Sequence, residues 1–202
     1  MKKLKTKRLI LTPMTDDELR EAIASETDAH LRNAYSKMLA GCTAHPAERL
    51  WYTCWRIVLR ESGGPVGGLG FKGPPENGAV EIGYGIDEAH REKGYAAEAV
   101  KAAMDWAFSQ ENVYFVTAET TAANAASNRV LDKLGFSLVV TDDGSWRYEK
   151  ERPAPSWLAV YLCLGMSVGL SIGVATDNIA TGMSIGMCIG VALGVSLDAA
   201  DK

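Results

Sequence analysis

Six consecutive residues, Arg91-Glu92-Lys93-Gly94-Tyr95-Ala96, carry the most explicit chemistry in this chain. They follow an alternating run, Val80 to Ile86, and open a helix-like segment that ends at Phe108. A strand that feeds a basic, glycine-containing turn and then a helix N-terminus is a phosphate cradle, because main-chain N–H groups converge there on an anion. The ligand this implies carries a pyrophosphate. A second glycine pattern, Gly68-Leu69-Gly70-Phe71-Lys72-Gly73, matches G-x-G-x-x-G. Pro74-Pro75 follow it where dinucleotide binding needs a helix, so these glycines are expected to serve turns and close strand packing.

Composition narrows the partners. The chain has 202 residues, of which 47% are hydrophobic, enough for one domain plus an appendage. Its net charge of -4 argues against a nucleic-acid-binding surface. Four cysteines (Cys42, Cys54, Cys163, Cys188) form no C-x-x-C pair, and no histidine stands at ligand spacing from them, so no metal is expected. The basic N-terminus, Met1 to Arg8, has no apolar stretch behind it and does not read as a secretory signal. The bulk of the chain is expected in a reducing cytoplasm.

The elements that must position the cradle follow from local signals. Arg8 to Pro13 reads as a short strand closed by proline. Thr15 to Ala24 reads as a helix, with Thr15 as N-cap and Glu18 completing a capping box. A second helix is expected over Asp28 to Leu39, ending near Gly41. Trp55 to Arg60, Pro65 to Phe71 and Val80 to Ile86 read as strands. Ala96 to Phe108 is predicted helical, with Val100, Met104 and Phe108 along one face. A strand over Val113 to Glu119 precedes a helix over Asn124 to Leu134, with Gly135 as its C′ residue. Phe136 to Val140 and Trp146 to Glu149 finish as strands around Asp142-Asp143-Gly144. Antiparallel strands followed by a β-α-β-α-β run describe a mixed-sheet α/β domain.

On these motifs the chain resembles the GNAT N-acetyltransferases. R-x-x-G-Y-A after a strand, at Arg91 to Ala96, is similar to their acetyl-CoA signature, and Asn124 to Phe136 is similar to their second motif. The opening Lys7-Arg8-Leu9-Ile10-Leu11 resembles the start of the RimJ/RimL-like branch. Together the three motifs cover about residues 5 to 150. The resemblance implies an α/β fold with a mixed, mainly antiparallel sheet flanked by helices. It also implies a pantetheine slot between parting strands, with backbone groups of Ile82, Gly83, Tyr84, Gly85 and Ile86 pairing with acetyl-CoA. Amides across Arg91, Glu92, Lys93, Gly94, Tyr95 and Ala96 would hold its pyrophosphate. Gly94 would allow close approach, and the Arg91 and Lys93 charges would add contacts.

Acetyl transfer requires a neutral amine, a stabilised oxyanion and a leaving thiolate. Glu81, on the strand that would carry the thioester, is the first choice of base, and Glu119 on the neighbouring strand is a second carboxylate in reach. Alternation puts Glu81, Gly83 and Gly85 on one face and Ile82, Tyr84 and Ile86 on the other. A backbone N–H near Gly83 and Tyr84 would meet the oxyanion. Many GNAT enzymes carry a tyrosine acid four residues before the second motif's glycine; that position here is Leu131, and Ser127 is the substitute the RimJ/RimL-like pattern suggests. Asn124 would contact the cofactor or substrate, or act only as a helix cap. The acceptor is a primary amine, a protein N-terminus or a small molecule. It would be lined by Asp28 to Arg49, Gly73 to Gly78 and the last hairpin, with Trp51, Tyr52 and Trp146 as an aromatic wall or as core. A non-catalytic acyl-CoA sensor is the alternative function.

The composition changes at Pro153-Ala154-Pro155, which divides a domain over residues 1–152 from a tail over 153–202. Gly165 to Ala175 returns 17 positions later as Gly182 to Ala192, and glycines recur every fourth residue at 165, 169, 173, 182, 186, 190 and 194. Each costs about 1 kcal/mol in a water-exposed helix, so close backbone packing must offset them. A glycine-rich helical hairpin follows, with helices over Trp157 to Val174 and Ile179 to Leu197 and a turn at Ala175-Thr176-Asp177-Asn178. In one reading it crosses a membrane, with small-x-x-x-small stripes packing the helices and Arg152 and Lys202 on the cytoplasmic side. In the other it self-associates in water as a homo-oligomer. Ser167, Ser171, Thr181 and Ser184 count against the membrane.

Overall fold

A computed structural model describes residues 2–142, 145–154 and 157–200. Part of the turn expected at Asp142-Asp143-Gly144, together with Pro155 and Lys202, lies outside the described residues. The chain divides into two units at the proline boundary, one through Arg152 and one from Pro153 onward.

The first unit is built on one eight-stranded sheet. In chain order the strands are β1 (Leu4–Lys5), β2 (Leu9–Pro13), β3 (Cys54–Leu59), β4 (Pro65–Phe71), β5 (Ala79–Ile86), β6 (Phe115–Thr121), β7 (Ser137–Asp142) and β8 (Ser145–Glu151). Their spatial order is β1-β2-β3-β4-β5-β6-β8-β7. The β5–β6 pair is parallel and the others are antiparallel. The helices are α1 (Asp16–Ser25), α2 (Ala29–Ala44), the short α3 (Arg49–Tyr52), α4 (Tyr95–Phe108) and α5 (Ala125–Lys133).

Local signals set most of these bounds. The Thr15–Glu18 capping box forms, with the Thr15 side chain accepting from the Glu18 N–H. Asn124 caps α5, and the Phe136 N–H donates to Leu131 O at 3.0 Å past Gly135 (φ 73°), the six-to-one bond of a Schellman end. Two features are added to the expected elements and one expectation changes. The two-residue β1 is an addition, too short to show a period. Strand β8 inserts between β6 and β7. Helix α2 runs through Gly41 to Ala44; Gly41 does not end it but makes room for the Tyr52 ring, which an added Cβ would strike.

The sheet separates two cores. On one face α4 and α5 cover Leu9, Leu11, Trp55, Ile57, Val80 and Ile82, with Val100, Met104 and Trp106 packed against them. On the other, α1 and α2 cover a smaller cluster of Met14, Leu19, Cys42 and Cys54. Burial raises the Cys54 thiol to about 11, so it is an inert core group.

One ionic cluster ties the N-terminal hairpin to α4 beside the basic turn. The Glu98 carboxylate accepts from the Thr6 hydroxyl at 2.6 Å, the Arg8 N–H at 2.8 Å and Arg8 Nε at 2.7 Å. Arg8 Nη1 donates to Lys93 O at 3.0 Å, and its guanidinium lies 4.6 Å from the Tyr95 ring centre.

The second unit is a hairpin of α6 (Trp157–Ala175) and α7 (Ile179–Ala200). Its glycines face inward. An added Cβ on Gly169 would come within 2.5 Å of Gly182 O, and one on Gly173 within 2.7 Å of Ile179 Cα. The large apolar side chains point away from the helix pair, among them Leu164 (54% exposed), Val168 (57%), Val174 (63%) and Ile189 (53%).

Glu98→Gln tests the ionic cluster. Burial alone would raise the Glu98 pKa, but the Thr6 and Arg8 hydrogen bonds and the Arg8 charge reverse this and lower it. A depressed folded pKa contributes stability above the unfolded value of ~4.3, which is lost as pH falls through the folded value. The substitution should cost on the order of 2 kcal/mol at pH 7. In denaturant titrations across pH, the gap to wild type should narrow below pH ~4; a gap that does not change with pH would refute the ionic account.

Candidate active site

The site starts where two strands part. Strand β5 pairs with β6 over Ala79, Val80 and Glu81 only, opposite Phe115, Val116 and Thr117. Beyond that point β6 continues to Thr121 against β8, while β5 continues to Ile86 against β4. A gap therefore opens along Ile82–Ile86.

The direction of the free backbone groups follows from the register. Lys72 N–H donates to Glu81 O at 3.0 Å, and Asp87 N–H donates to Val66 O at 3.0 Å. Odd-numbered residues thus direct their backbone groups toward β4, and Tyr84 and Ile86 direct theirs into the gap. Of these, Ile86 O already accepts from Arg91 Nε at 3.2 Å. The free edge can pair with an extended, amide-containing ligand.

The basic turn lies at the end of this edge. Glu92 (φ 61°) and Gly94 (φ 77°) are both left-handed, which curls successive N–H groups into a concave nest. Gly94 is the N-cap of α4 and has no side chain to supply a capping bond, so the first N–H groups of the helix remain open to an anion. Arg8 braces the turn from beneath through Lys93 O and Tyr95. Arg91 and Lys93 fold back onto Ile86 O and Ala89 O, keeping both charges at the turn. The nest and open N-terminus fit the diphosphate of a coenzyme A thioester.

The expected alternation holds along β5. Val80 and Ile82 are buried in the main core, with Tyr84 and Ile86 packed against it, and Gly83 and Gly85 are exposed on the Glu81 face. Above the two glycines an added Cβ would meet nothing within 4 Å, so this face is an open trench.

Glu81 is not a free carboxylate. Lys72, just past the end of β4, places its ammonium against Glu81 and 3.4 Å from Glu119 Oε2 on β6. Burial alone would lower the Lys72 pKa, but the bond and charge of Glu81, with Glu119, outweigh it and raise it. The sequence reading missed Lys72, which sits inside the rejected glycine pattern. It also missed the Tyr84 side chain. That phenol is half-buried, its pKa raised by burial, and its hydroxyl lies 3.4 Å from Ser127 O on α5. Ser127 is in the exposed first turn of α5, and its N–H donates to the Asn124 side chain at 3.2 Å. Asn124 thus spends its oxygen on capping. Leu131 is 1% exposed, a core residue with no part in proton transfer.

The aromatic wall is not formed. Trp51 packs on Phe71 and Trp106 at 5.1 and 4.5 Å between ring centres, Trp146 packs against the main core, and Tyr52 stacks on His45 at 5.0 Å. Pro74 and Pro75, with Trp51 and Gln110, line a separate cleft of about 690 Å³. On the α1–α2 face, a cleft of about 410 Å³ is lined by Glu18, Glu21, Tyr35, Cys54 and Arg56.

Comparisons agree with this geometry. Residues 8–137 match the model of the acetyltransferase (GNAT) domain, and residues 154–200 match that of a glycine zipper membrane protein. Uncharacterized N-acetyltransferase YjdG of Bacillus subtilis (strain 168) is 43% identical over 88 residues, 43% of this chain and 52% of YjdG. Uncharacterized N-acetyltransferase p20 of Bacillus licheniformis is 29% identical over 65% of each chain. The match thus spans about half the length of YjdG and somewhat under two thirds of p20. Among solved structures, an acetyltransferase from Agrobacterium tumefaciens str. C58 superposes with a TM-score of 0.57 at 25% identity, over 75% of this chain and 95% of that one. RimL, a ribosomal L7/L12 alpha-N-protein acetyltransferase in complex with coenzyme A, superposes with a TM-score of 0.59 over 74% of this chain and 98% of that one. At 16% identity the latter likeness is one of fold. With the strand gap, the open helix N-terminus and a domain match over most of the first unit, the chain belongs to the GNAT acetyltransferase family.

Proposed function

We propose that this chain transfers an acetyl group from acetyl-CoA to a primary amine by direct attack in a ternary complex. The observation that carries the reading is the free edge of β5 running into the uncapped N-terminus of α4. Backbone groups of Tyr84 and Ile86 pair with the pantetheine arm, and the amides from Arg91 to Ala96 hold the pyrophosphate. The bound cosubstrate supplies an acetyl thioester at the mouth of the gap. The Tyr84 N–H, the nearest one aimed into the gap, donates to the carbonyl oxygen as negative charge develops there. Glu81 takes the proton from the incoming amine once Lys72 yields its place. Ser127, whose carbonyl accepts from the Tyr84 phenol, is assigned the protonation of the leaving thiolate. The acceptor enters over Gly83 and Gly85, and the α-amine of a protein or a small-molecule amine fits that open trench.

A second reading, an acyl-CoA sensor without turnover, draws on two observations: Leu131 is buried where many relatives place a tyrosine acid, and Glu81 is held by Lys72. Acetyl-CoA consumption with a panel of amines separates the two. Turnover by wild type and a ~10²–10⁴-fold lower kcat for Glu81→Gln, with CoA binding retained, are expected for the enzyme. Binding without turnover would leave the sensor. Turnover unchanged in Glu81→Gln would remove Glu81 as base.

We further propose that the hairpin spans a lipid bilayer. Each 19-residue apolar stretch is about 28 Å long, close to the ~30 Å hydrocarbon core. The serine hydroxyls do not oppose this: Ser167, Ser171, Ser184 and Ser196 each donate to the carbonyl four residues back, at 2.8 to 3.0 Å, and ask nothing of water. The glycine stripe is used between α6 and α7, so what faces outward is bulky aliphatic surface suited to lipid. The full chain should sediment with membranes and resist alkaline carbonate, while residues 1–152 stay in the supernatant. Recovery of the full chain as soluble oligomers would reject lipid insertion.

A further inference from the structure

Lys72 holds a primary amine where the proposed reaction needs one. Its backbone N–H is bonded to Glu81 O, so the two residues face each other across β4 and β5. Its Nζ rests on the Glu81 carboxylate and lies 3.4 Å from Glu119 Oε2. Glu119 is two residues beyond Thr117, the last residue of β6 paired with β5. The ammonium therefore bridges the two strands at the mouth of the gap, next to the proposed base. The pair spans the point where the paired stretch of β5 and β6 ends. The Lys72 side chain is 59% exposed, so the pair is weak and breaks readily.

We propose that Lys72 is a cis acceptor: the chain acetylates its own Lys72 Nζ. The inference rests on the acetyl-CoA reading above. Glu81 takes one proton from the Lys72 ammonium. The freed nitrogen lone pair attacks the thioester carbonyl carbon, forming an N–C bond as the C–S bond breaks. The electron pair leaves on sulfur, and the CoA thiolate takes up the second proton lost by the nitrogen. The products are Nε-acetyl-Lys72 and CoA thiol, with one proton left on Glu81 for release to water. The acetylated side chain is neutral and no longer pairs with Glu81 or Glu119, so both carboxylates are released for an external amine. A single self-acetylation would thus remove the competing ammonium from the base for good.

Lys101 provides an internal control. Its side chain is 61% exposed and ion-paired with Asp105 at 2.7 Å, so its surroundings resemble those of Lys72 without a cosubstrate site. Uncatalysed acetylation proceeds through the free amine, and the raised pKa of Lys72 disfavours that form, so preference for Lys72 reports catalysis.

The purified full chain is incubated with acetyl-CoA and no added amine, then followed by intact mass and peptide mapping. One acetyl group per chain is expected, on Lys72, with a first-order rate independent of protein concentration and at least ~10-fold above that at Lys101. Glu81→Gln should slow it by a similar factor with CoA binding intact, and Lys72→Arg should acquire no acetyl group at that rate. Acetylation of Lys72 no faster than of Lys101, or equally fast in Glu81→Gln, overturns the proposal. CoA binding and turnover of external amines are measured on the same sample. Turnover with Lys72 unmodified overturns the cis acceptor alone, and absence of CoA binding overturns the acetyl-CoA reading with it.

Discussion

The structure of the first unit depends on one feature: strand β6 pairs with β8 along its whole length but with β5 only over its first three residues. Its antiparallel register with β8 runs unbroken from Phe115 to Thr121, whereas its parallel register with β5 stops at Glu81 and Thr117. The Tyr84 backbone groups and the Ile86 N–H that would have joined the ladder must then find water or a ligand, while Ile86 O takes the Arg91 side chain. The gap sets the place of the proposed chemistry, because the turn that follows β5 delivers the open end of α4 to the same edge. The glycines on the opposite face of β5 keep the approach clear, since any side chain at Gly83 or Gly85 would stand in the trench.

Glycine serves two different ends in the two units. On β5 the missing side chain leaves space empty, while in the hairpin it lets two backbones meet. Helices carrying three and four such residues would be poor in water, yet between α6 and α7 each glycine seats the partner's main chain. The result inverts the usual arrangement of a water-soluble hairpin, with small residues inside and aliphatic bulk outside. This is the arrangement expected where the solvent is itself apolar and packing, not burial, holds helices together.

What the sequence made legible was local. The Thr15–Glu18 box, the Asn124 cap, the Schellman end at Gly135 and the alternation along β5 each depend on residues within a few positions of one another, and each forms. The basic turn was legible for the same reason. What escaped depends on register between distant segments. Lys72, Glu81 and Glu119 meet only because three strands align, and no spacing rule announces that. Strand β8 inserts beside β6 because its whole length pairs there, a choice the order of elements left open. Trp51 and Trp146 could be core or wall by type alone, and packing decided for core.

The Arg8–Glu98 cluster has a consequence for the order in which the chain assembles. Its partners are 90 residues apart in sequence, so the brace beneath the basic turn is among the contacts that must wait longest for loop closure. On a ribosome adding ~5–20 residues per second, the N-terminal hairpin waits roughly 5–20 s for Glu98 to be made. The helix α4 can wind on its own local contacts, but the turn ahead of it gains its brace only when the first strands dock. The ligand cradle is thus completed late, and its geometry certifies that the two ends of the first hundred residues have found each other.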